Sequence, residues 1–327
     1  MPRILSGIQP SGQLHLGNYC GAIRQFVDMQ VDHEMFIFVA SYHALTSVED
    51  PAALRAAQRQ VVIDSLAFGL DPEQTNLYLQ QDLPQVTELA WILGCCCPKY
   101  LMDKAVSYKD KVAKGLAPSI GLYTYPVLQA ADILIVDAEL VPVGKDQVQH
   151  IEITRDLAQK INHRFGSEDR PVLVLPDYRL ASGADVLPGI DGQKMSKSYG
   201  NTIDPFLDEK PLRKQIMKIK TDSTPLEEPK DPSGCPVFAI YRAIAGAEDE
   251  RTTDLAARYR AGGMGYGHAK QALFELVWEH FAPARERRQA LAADPGHVDA
   301  VLRRGAAAAA EVAEQTMARV RAAVGLR

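Results

Sequence analysis

The apolar positions of this chain change their period from one segment to the next, and the changes predict its elements. Residues 3–8 predict a short strand that runs into a turn of Gly, Pro and Ser. Leu16, Tyr19, Cys20, Ile23, Phe26 and Val27 then recur at helical spacing. The run from Met35 to Ala40 is apolar throughout, the pattern of a strand buried on both faces. Pro51 to Leu70 predicts a helix, with Asp50 as N-cap, Pro51 at the first position and Gly69 at the end. Asn76 to Gln80 predicts a third strand, and Ile133 to Val136 and Val172 to Leu175 predict two more. The stretch 85–131 reads as mainly helical. Strands alternating with helices imply a parallel sheet with right-handed crossovers.

After Pro205 the pattern shifts. Leu212 to Lys220 predicts a basic helix, residues 222–236 a Pro-rich charged connector, and helical periodicity dominates from 237 onward, through the alanine run Ala306 to Ala310. The expected fold class is α/β. A Rossmann-like parallel-sheet catalytic domain is expected over 1–206 and an all-helical domain over 207–327.

Composition narrows the function classes. The chain has 327 residues, 46% hydrophobic and 24% charged, which is ordinary globular usage. A net charge of −5 argues against a compact basic DNA-binding module and leaves RNA open, because a local basic patch can carry phosphate contacts. No apolar run approaches the roughly 18 residues of a membrane span. No basic-plus-apolar leader opens the chain, so a cytoplasmic location is expected. Of the five cysteines, Cys95, Cys96 and Cys97 are adjacent and Cys20 and Cys235 are isolated. An odd count without a C-x-x-C pair argues against a disulfide framework, so they are expected as buried small apolar residues in a reducing compartment. No metal-ligand spacing stands out.

Five constellations carry chemistry. Pro10 to Asn18 places small residues and His15 where a strand turns into a helix. Unpaired backbone N–H groups and the positive end of a helix dipole gather there, and phosphates bind them readily. Gly12 and Gly17 let a ligand approach the backbone, and His15 is placed to donate to a phosphate oxygen. A plain capped turn is an equal alternative for this segment alone. Lys194 to Ser198, between Gly192 and Gly200, sets two cations three residues apart on a glycine-flanked loop, able to close over a leaving pyrophosphate. Gly144 to His150 follows the apolar Leu140 to Val143, with Asp146 placed to accept from ribose hydroxyls. Tyr125, Gln129 and Asp132 are four and three apart, so on a helix they share one face and can grip an amino acid. Asp132 is expected to be buried and to need a partner. Lys109 and Lys111 offer either further phosphate contacts or a solvated basic turn. His43, after the second strand, is a functional or a structural histidine with equal weight.

Gly7 to Gly12, Gly17 to Tyr19, Val141 to Gly144 with Asp146 and Gln147, Gln149 to Glu152, Arg155 to Ala158, and Lys194 to Ser198 together resemble the bacterial tryptophanyl-tRNA synthetases, a family of class I aminoacyl-tRNA synthetases. The resemblance runs from about residue 3 to 205 and continues more loosely beyond. It implies a ligase that joins tryptophan to ATP, releases pyrophosphate, and passes the tryptophanyl group to the 3′ end of tRNA. Gln9, Pro10, Ser11, Gly17 and Asn18 would line ATP, and Gly144, Lys145 and Asp146 its ribose and adenine side. Val186 would touch adenine, and Lys194, Met195, Ser196, Lys197 and Ser198 would hold the triphosphate. Asp132 would accept the indole N–H, and Tyr125, Gln147 and Gln9 would help orient the amino acid; Gln129 and His43, read from the residues themselves, are further candidates for the tryptophan site. Lys194, Lys197, His15 and Lys111 are the catalytic candidates. Mg²⁺ would travel with the nucleotide, tRNA is the implied macromolecular partner, and a homodimer is the usual assembly. Three residues depart from the family pattern: Leu5, where an aromatic is frequent, Gln129, where methionine is, and Lys145, where an acid is. Some relatives carry an iron–sulfur cluster in the helical domain; here only Cys235 falls in that region, and no cluster is expected. Two other readings stay open: a tyrosine-specific enzyme, and a synthetase paralogue with an added binding-partner role.

Overall fold

In the computed structural model, the described residues are 1–326 other than 106–107, 109–112, 114, 116–117 and 181–186. Five strands are found among them: β1 (Arg3–Ile8), β2 (Glu34–Val39), β3 (Thr75–Leu79), β4 (Leu140–Val143) and β5 (Asp177–Leu180). They pair in the order β3-β2-β1-β4-β5, every pair parallel. β1 and β2 lie in register from Arg3 opposite Glu34 to Ile8 opposite Val39. The chain winds from β1 to one side through β2 and β3 and then crosses to the other side of β1 through β4. That reversal opens a crevice at the carboxyl ends of β1 and β4, the place where doubly wound sheets bind ligands.

Alternation along the strands divides the core. Ile4, Met35, Ile37 and Val39 enter one apolar cluster, and Leu5, Phe36 and Phe38 enter another. The first cluster continues without a break into the helices after residue 207, taking in Leu212, Phe238, Tyr259 and Phe274.

The crossover after β1 is one continuous helical run: α1 (Leu16–Asn18), a π-helical turn (Tyr19–Ile23) and α2 (Arg24–Met29). α3 (Ser41–Ala44) follows β2, and α4 (Pro51–Ala67) starts as expected, with Asp50 accepting from the Ala52 N–H at 2.8 Å and Pro51 at the first position. Within 85–131 lie α5 (Gln85–Cys96), α6 (Lys99–Lys104) and most of α7 (Ile120–Ile135). α8 (Val148–Phe165) follows β4. The later part comprises α9 (Glu209–Met217), α10 (Pro236–Ala245), α11 (Glu250–Ala261), α12 (Tyr266–His280), α13 (Ala282–Ala293) and α14 (Pro295–Val324).

Two strand expectations are corrected. Ile133 to Ile135 end α7, and Val136 is its C-cap. All four are buried, and a short apolar run buried all round looks alike as strand or helix. Val172 to Leu175 forms no strand. The Asn162 amide on α8 takes its backbone groups instead: Oδ1 accepts from Val172 and Leu173 N–H at 2.8 Å each, and Nδ2 donates to Leu173 O at 2.8 Å. The strand at that edge is the exposed β5, two residues later. The cysteines also differ from expectation. Cys235 is buried, Cys20, Cys96 and Cys97 are half-buried, and Cys95 is exposed, because it lies on the outer face of α5.

The alanine run has a packing reason. Gly305, Ala309 and Ala313, four apart, form the buried stripe of α14. Any Cβ at Gly305 would overlap the Leu77 carbonyl of β3, so small residues let this helix lie directly against the sheet edge.

Candidate active site

A cavity of about 1300 Å³ opens at the carboxyl ends of β1 and β4. Among the expected residues, Gln9, Gly17, His43, Tyr125, Gln129, Asp132, Gly144, Lys145, Asp146, Gln147, Lys194 and Met195 line it. Pro10, Ser11, His15, Asn18, Ser196, Lys197 and Ser198 are not among the lining residues. Lys109, Lys111 and Val186 fall outside the described residues.

The two distant motifs meet. Lys197 Nζ donates to Ser11 O at 3.0 Å and lies 3.3 Å from Ser11 Oγ, across 186 residues. Met195 Sδ lies 3.3 Å from the Gly17 N–H, and the Leu16 N–H donates to Ile203 O at 3.0 Å. Burial pushes the Lys197 ammonium below its usual range, with Asp64 and Asp204 opposing that shift. The loop itself is pinned by Asn201, which is 1% exposed. Its Oδ1 accepts from Ser196 N–H at 2.8 Å, and its Nδ2 donates to Lys194 O at 2.9 Å and to Asp191 Oδ1 at 2.7 Å. Gly200 closes the short turn Lys197–Tyr199 in the left-handed region, at φ 63°.

The turn before α1 is built by its own side chains. His15 is the N-cap: its Nδ1 accepts from the Gly17 N–H at 3.1 Å, while Asn18 Oδ1 accepts from the His15 N–H at 3.1 Å. Burial, aided by the Lys197 charge, pulls the imidazole down to about 4. His15 is therefore neutral near pH 7, and since Nδ1 is an acceptor its proton sits on Nε2. Gly12 takes φ 89°, so it serves a left-handed turn where no neighbour comes close.

At the far end of the cavity, Asp132 is buried inside α7 and not before a strand. Its Oδ2 lies 2.7 Å from His43 Nε2, and Gln80 Nε2 donates to both of its oxygens at 2.7 and 2.9 Å. Burial raises the carboxyl, and the His43 and Gln80 contacts oppose the rise. Tyr125 Oη lies 2.9 Å from His150 Nε2. Gln129 Nε2 reaches Gln147 Oε1 at 3.4 Å, and Gln147 donates to Asp146 Oδ2 at 2.8 Å. Leu5, Phe38, Ile133, Val141 and Val143 give this end an apolar wall. Gln80, His150 and Asn201 were not among the expected site residues. Gln80 had a signal, as a polar side chain at the end of a predicted strand, and His150 closed a quoted motif. Asn201 had none.

The residues fit a nucleotide triphosphate. They combine lysines, a glycine-rich helix start and a polar group after a switch-point strand, in a cavity whose far end is apolar and holds a buried acceptor. Among the described residues no cluster of His, Cys, Asp and Glu could hold a metal ion. No helix among them is long and apolar enough to cross a membrane.

Known proteins resemble the whole chain. The family model described as tRNA synthetases class I (W and Y) matches residues 1–282. A tryptophan–tRNA ligase of Rhodopirellula baltica is 50% identical over 325 residues, covering 99% of this chain and 100% of that protein. One of Campylobacter jejuni is 47% identical over 324 residues, covering 99% and 100%. A crystal structure of the tryptophanyl-tRNA synthetase of Campylobacter jejuni complexed with ADP and tryptophan superposes with a TM-score of 0.90 at 47% identity, covering 99% of each chain. The tyrosyl-tRNA synthetase of Archaeoglobus fulgidus, at 20% identity and a TM-score of 0.68, shares the fold. The matched family model and the full-length relatives agree: the chain belongs to the class I tRNA synthetases of the W and Y family.

Proposed function

We infer that this chain activates tryptophan with ATP and transfers it to tRNA. The observation that carries the reading is the direct contact between the Pro10–Asn18 turn and the Lys194–Ser198 loop, at the mouth of a cavity whose inner end holds a buried carboxylate. The names of the full-length relatives support the amino acid.

In this reading Asp132 accepts the indole N–H. His43 and Gln80 hold its carboxylate in place, so the acceptor is already oriented when tryptophan arrives. Tyr125, Gln129, Gln147 and Gln9 orient the amino acid. Gly17 and the start of α1 receive the phosphates, with Pro10, Ser11 and Asn18 shaping the turn. Gly144, Lys145 and Asp146 take the ribose side, and Val186 the adenine. A carboxylate oxygen of tryptophan attacks the α-phosphorus in line, and the bond to the pyrophosphate oxygen breaks. Lys194 and Lys197, with Met195, Ser196 and Ser198 forming their loop and Lys111 joining them, meet the charge that builds on the leaving group. The neutral His15 offers an N–H dipole from Nε2. Magnesium carried by the nucleotide supplies charge neutralisation. A hydroxyl of the terminal ribose of tRNA then attacks the acyl carbon of the adenylate, the ester forms, the anhydride bond breaks, and AMP leaves.

Lys214, Lys218 and Lys220 are exposed on and after α9, and this basic face supports contact with the tRNA backbone. Trp91, Tyr100 and Ile120 are exposed apolar side chains on α5, α6 and α7, which supports a homodimer. A tRNA substrate supports a cytoplasmic location. Amino-acid-dependent exchange of pyrophosphate into ATP tests the assignment: tryptophan is expected to drive it and tyrosine to leave it at background. Exchange driven by tyrosine alone would replace tryptophan with tyrosine.

A further inference from the structure

The His15 turn is held from behind by groups that do not touch the cavity. The Leu14 N–H, one residue before the cap, donates to Asp64 Oδ2 at 2.9 Å. Asp64 lies on α4 and is fully buried. Its Oδ1 accepts from Arg288 Nε on α13 at 2.8 Å and from Gln60 Nε2 at 2.7 Å. Arg288 also stacks on the Phe206 ring, 4.7 Å from its centre. On either side of Leu14 the turn is tied to the segment that follows the lysine loop: Gln13 Nε2 donates to Asp204 Oδ2 at 2.7 Å and the Leu16 N–H to Ile203 O at 3.0 Å. α13 is fixed by two more arginines, Arg287 to Ala67 O at 2.7 and 2.9 Å and Arg285 to Pro205 O at 3.1 Å.

A buried charge pair is a poor device for stability alone, since its desolvation offsets most of its attraction. It is a good device for orientation, because a carboxylate with both oxygens engaged has one position. Here that position sets a backbone N–H within the nucleotide-binding turn, one residue before its His15 cap. We propose that Asp64, held by Arg288, is a positioning residue for the ATP site, through which helix α13 sets the placement of the Leu14–Gly17 turn. The proposal rests on the turn being the nucleotide site. Neither residue touches substrate; each acts through the turn.

Three variants separate positioning from packing. Asp64→Asn keeps an acceptor for Leu14 and loses the ion pair. Arg288→Met removes the ion pair and keeps most of the volume. Arg59→Ala breaks another α4 contact with the later helices, Arg59 to Asp299 at 2.8 Å, and touches nothing in the turn. In pyrophosphate exchange, D64N and R288M are expected to lower kcat/KM for ATP by about 10- to 100-fold, with the KM for tryptophan unchanged. R59A is expected to match wild type, and Arg288→Lys to recover part of the loss. Values of kcat/KM for ATP within about threefold of wild type in folded D64N and R288M overturn the proposal, as does an equal loss in R59A. If D64N does not fold, R288M decides. A second readout needs no substrate: the Leu14 amide is expected to exchange with solvent faster in R288M than in wild type, and unchanged exchange overturns the proposal. A wild-type protein that fails to activate tryptophan counts against the functional reading alone, since the amide measurement still judges the positioning claim.

Discussion

Asp132 is a carboxylate held out of solvent at the inner end of the cavity. A buried carboxylate is tolerated because three contacts from His43 and Gln80 compensate its desolvation. Asp132→Ala leaves those donors without an acceptor and removes the acceptor for the indole. Tryptophan affinity, read by calorimetry, is expected to fall by about 10- to 100-fold. Lys197→Ala is expected to slow adenylate formation by about 100- to 1000-fold while tryptophan binding stays near wild type, because the ammonium sits at the nucleotide end. Exchange rates within a few-fold of wild type would remove the loop from catalysis. His15 gives a pH prediction. Its folded value near 4 lies below its ordinary 6.5, so the unfolded chain binds the proton more readily. The resulting stability is complete above pH 6.5 and is lost as pH falls through 4. Chemical denaturation of wild type and His15→Gln above pH 6.5 and near pH 4 checks this: the pH dependence is expected to be shallower in the variant, and equal slopes would assign it elsewhere. The need of Asp132 for a partner was legible in the sequence. The identity of Gln80 was not, because a side chain 52 residues away becomes a neighbour only through the sheet.

Elements were legible where their pattern admitted one reading. Residues 3–8, the apolar run from Met35 and the capped helix from Pro51 form as expected, because strand length, cap and Pro position agree. Ile133 to Val136 was misread because burial on every side erases periodicity. Val172 to Leu175 was misread because Asn162, on another element, takes the hydrogen bonds that a ladder needs. The alanine run showed helix and concealed its purpose, since the closeness of α14 to β3 depends on the partner strand. Gly305→Ala tests that closeness: overpacking is expected to cost about 1–3 kcal/mol, visible as a drop of several degrees in Tm. An unchanged Tm would mean that the helix can move away from Leu77 at no cost.

For the molecule as a whole, the parallel order β3-β2-β1-β4-β5 fixes where chemistry can occur, and alternating elements in the sequence already implied such a sheet. The continuity of one apolar cluster from β1 and β2 into the helices beyond 207 was not legible, because the sequence shows the period of each element and never its neighbour. That continuity lets α13 and the Ile203–Asp204 segment brace the turn at Leu14 and Leu16 while the lysine loop reaches Ser11. On the proposed function, this single junction grips one triphosphate. A crystal structure of the protein with tryptophan and a non-hydrolysable ATP analogue tests it most directly. The phosphate chain is expected between the Gly17 end of the turn and Lys194 and Lys197, within hydrogen-bonding distance of both. A triphosphate bound away from either element would contradict it.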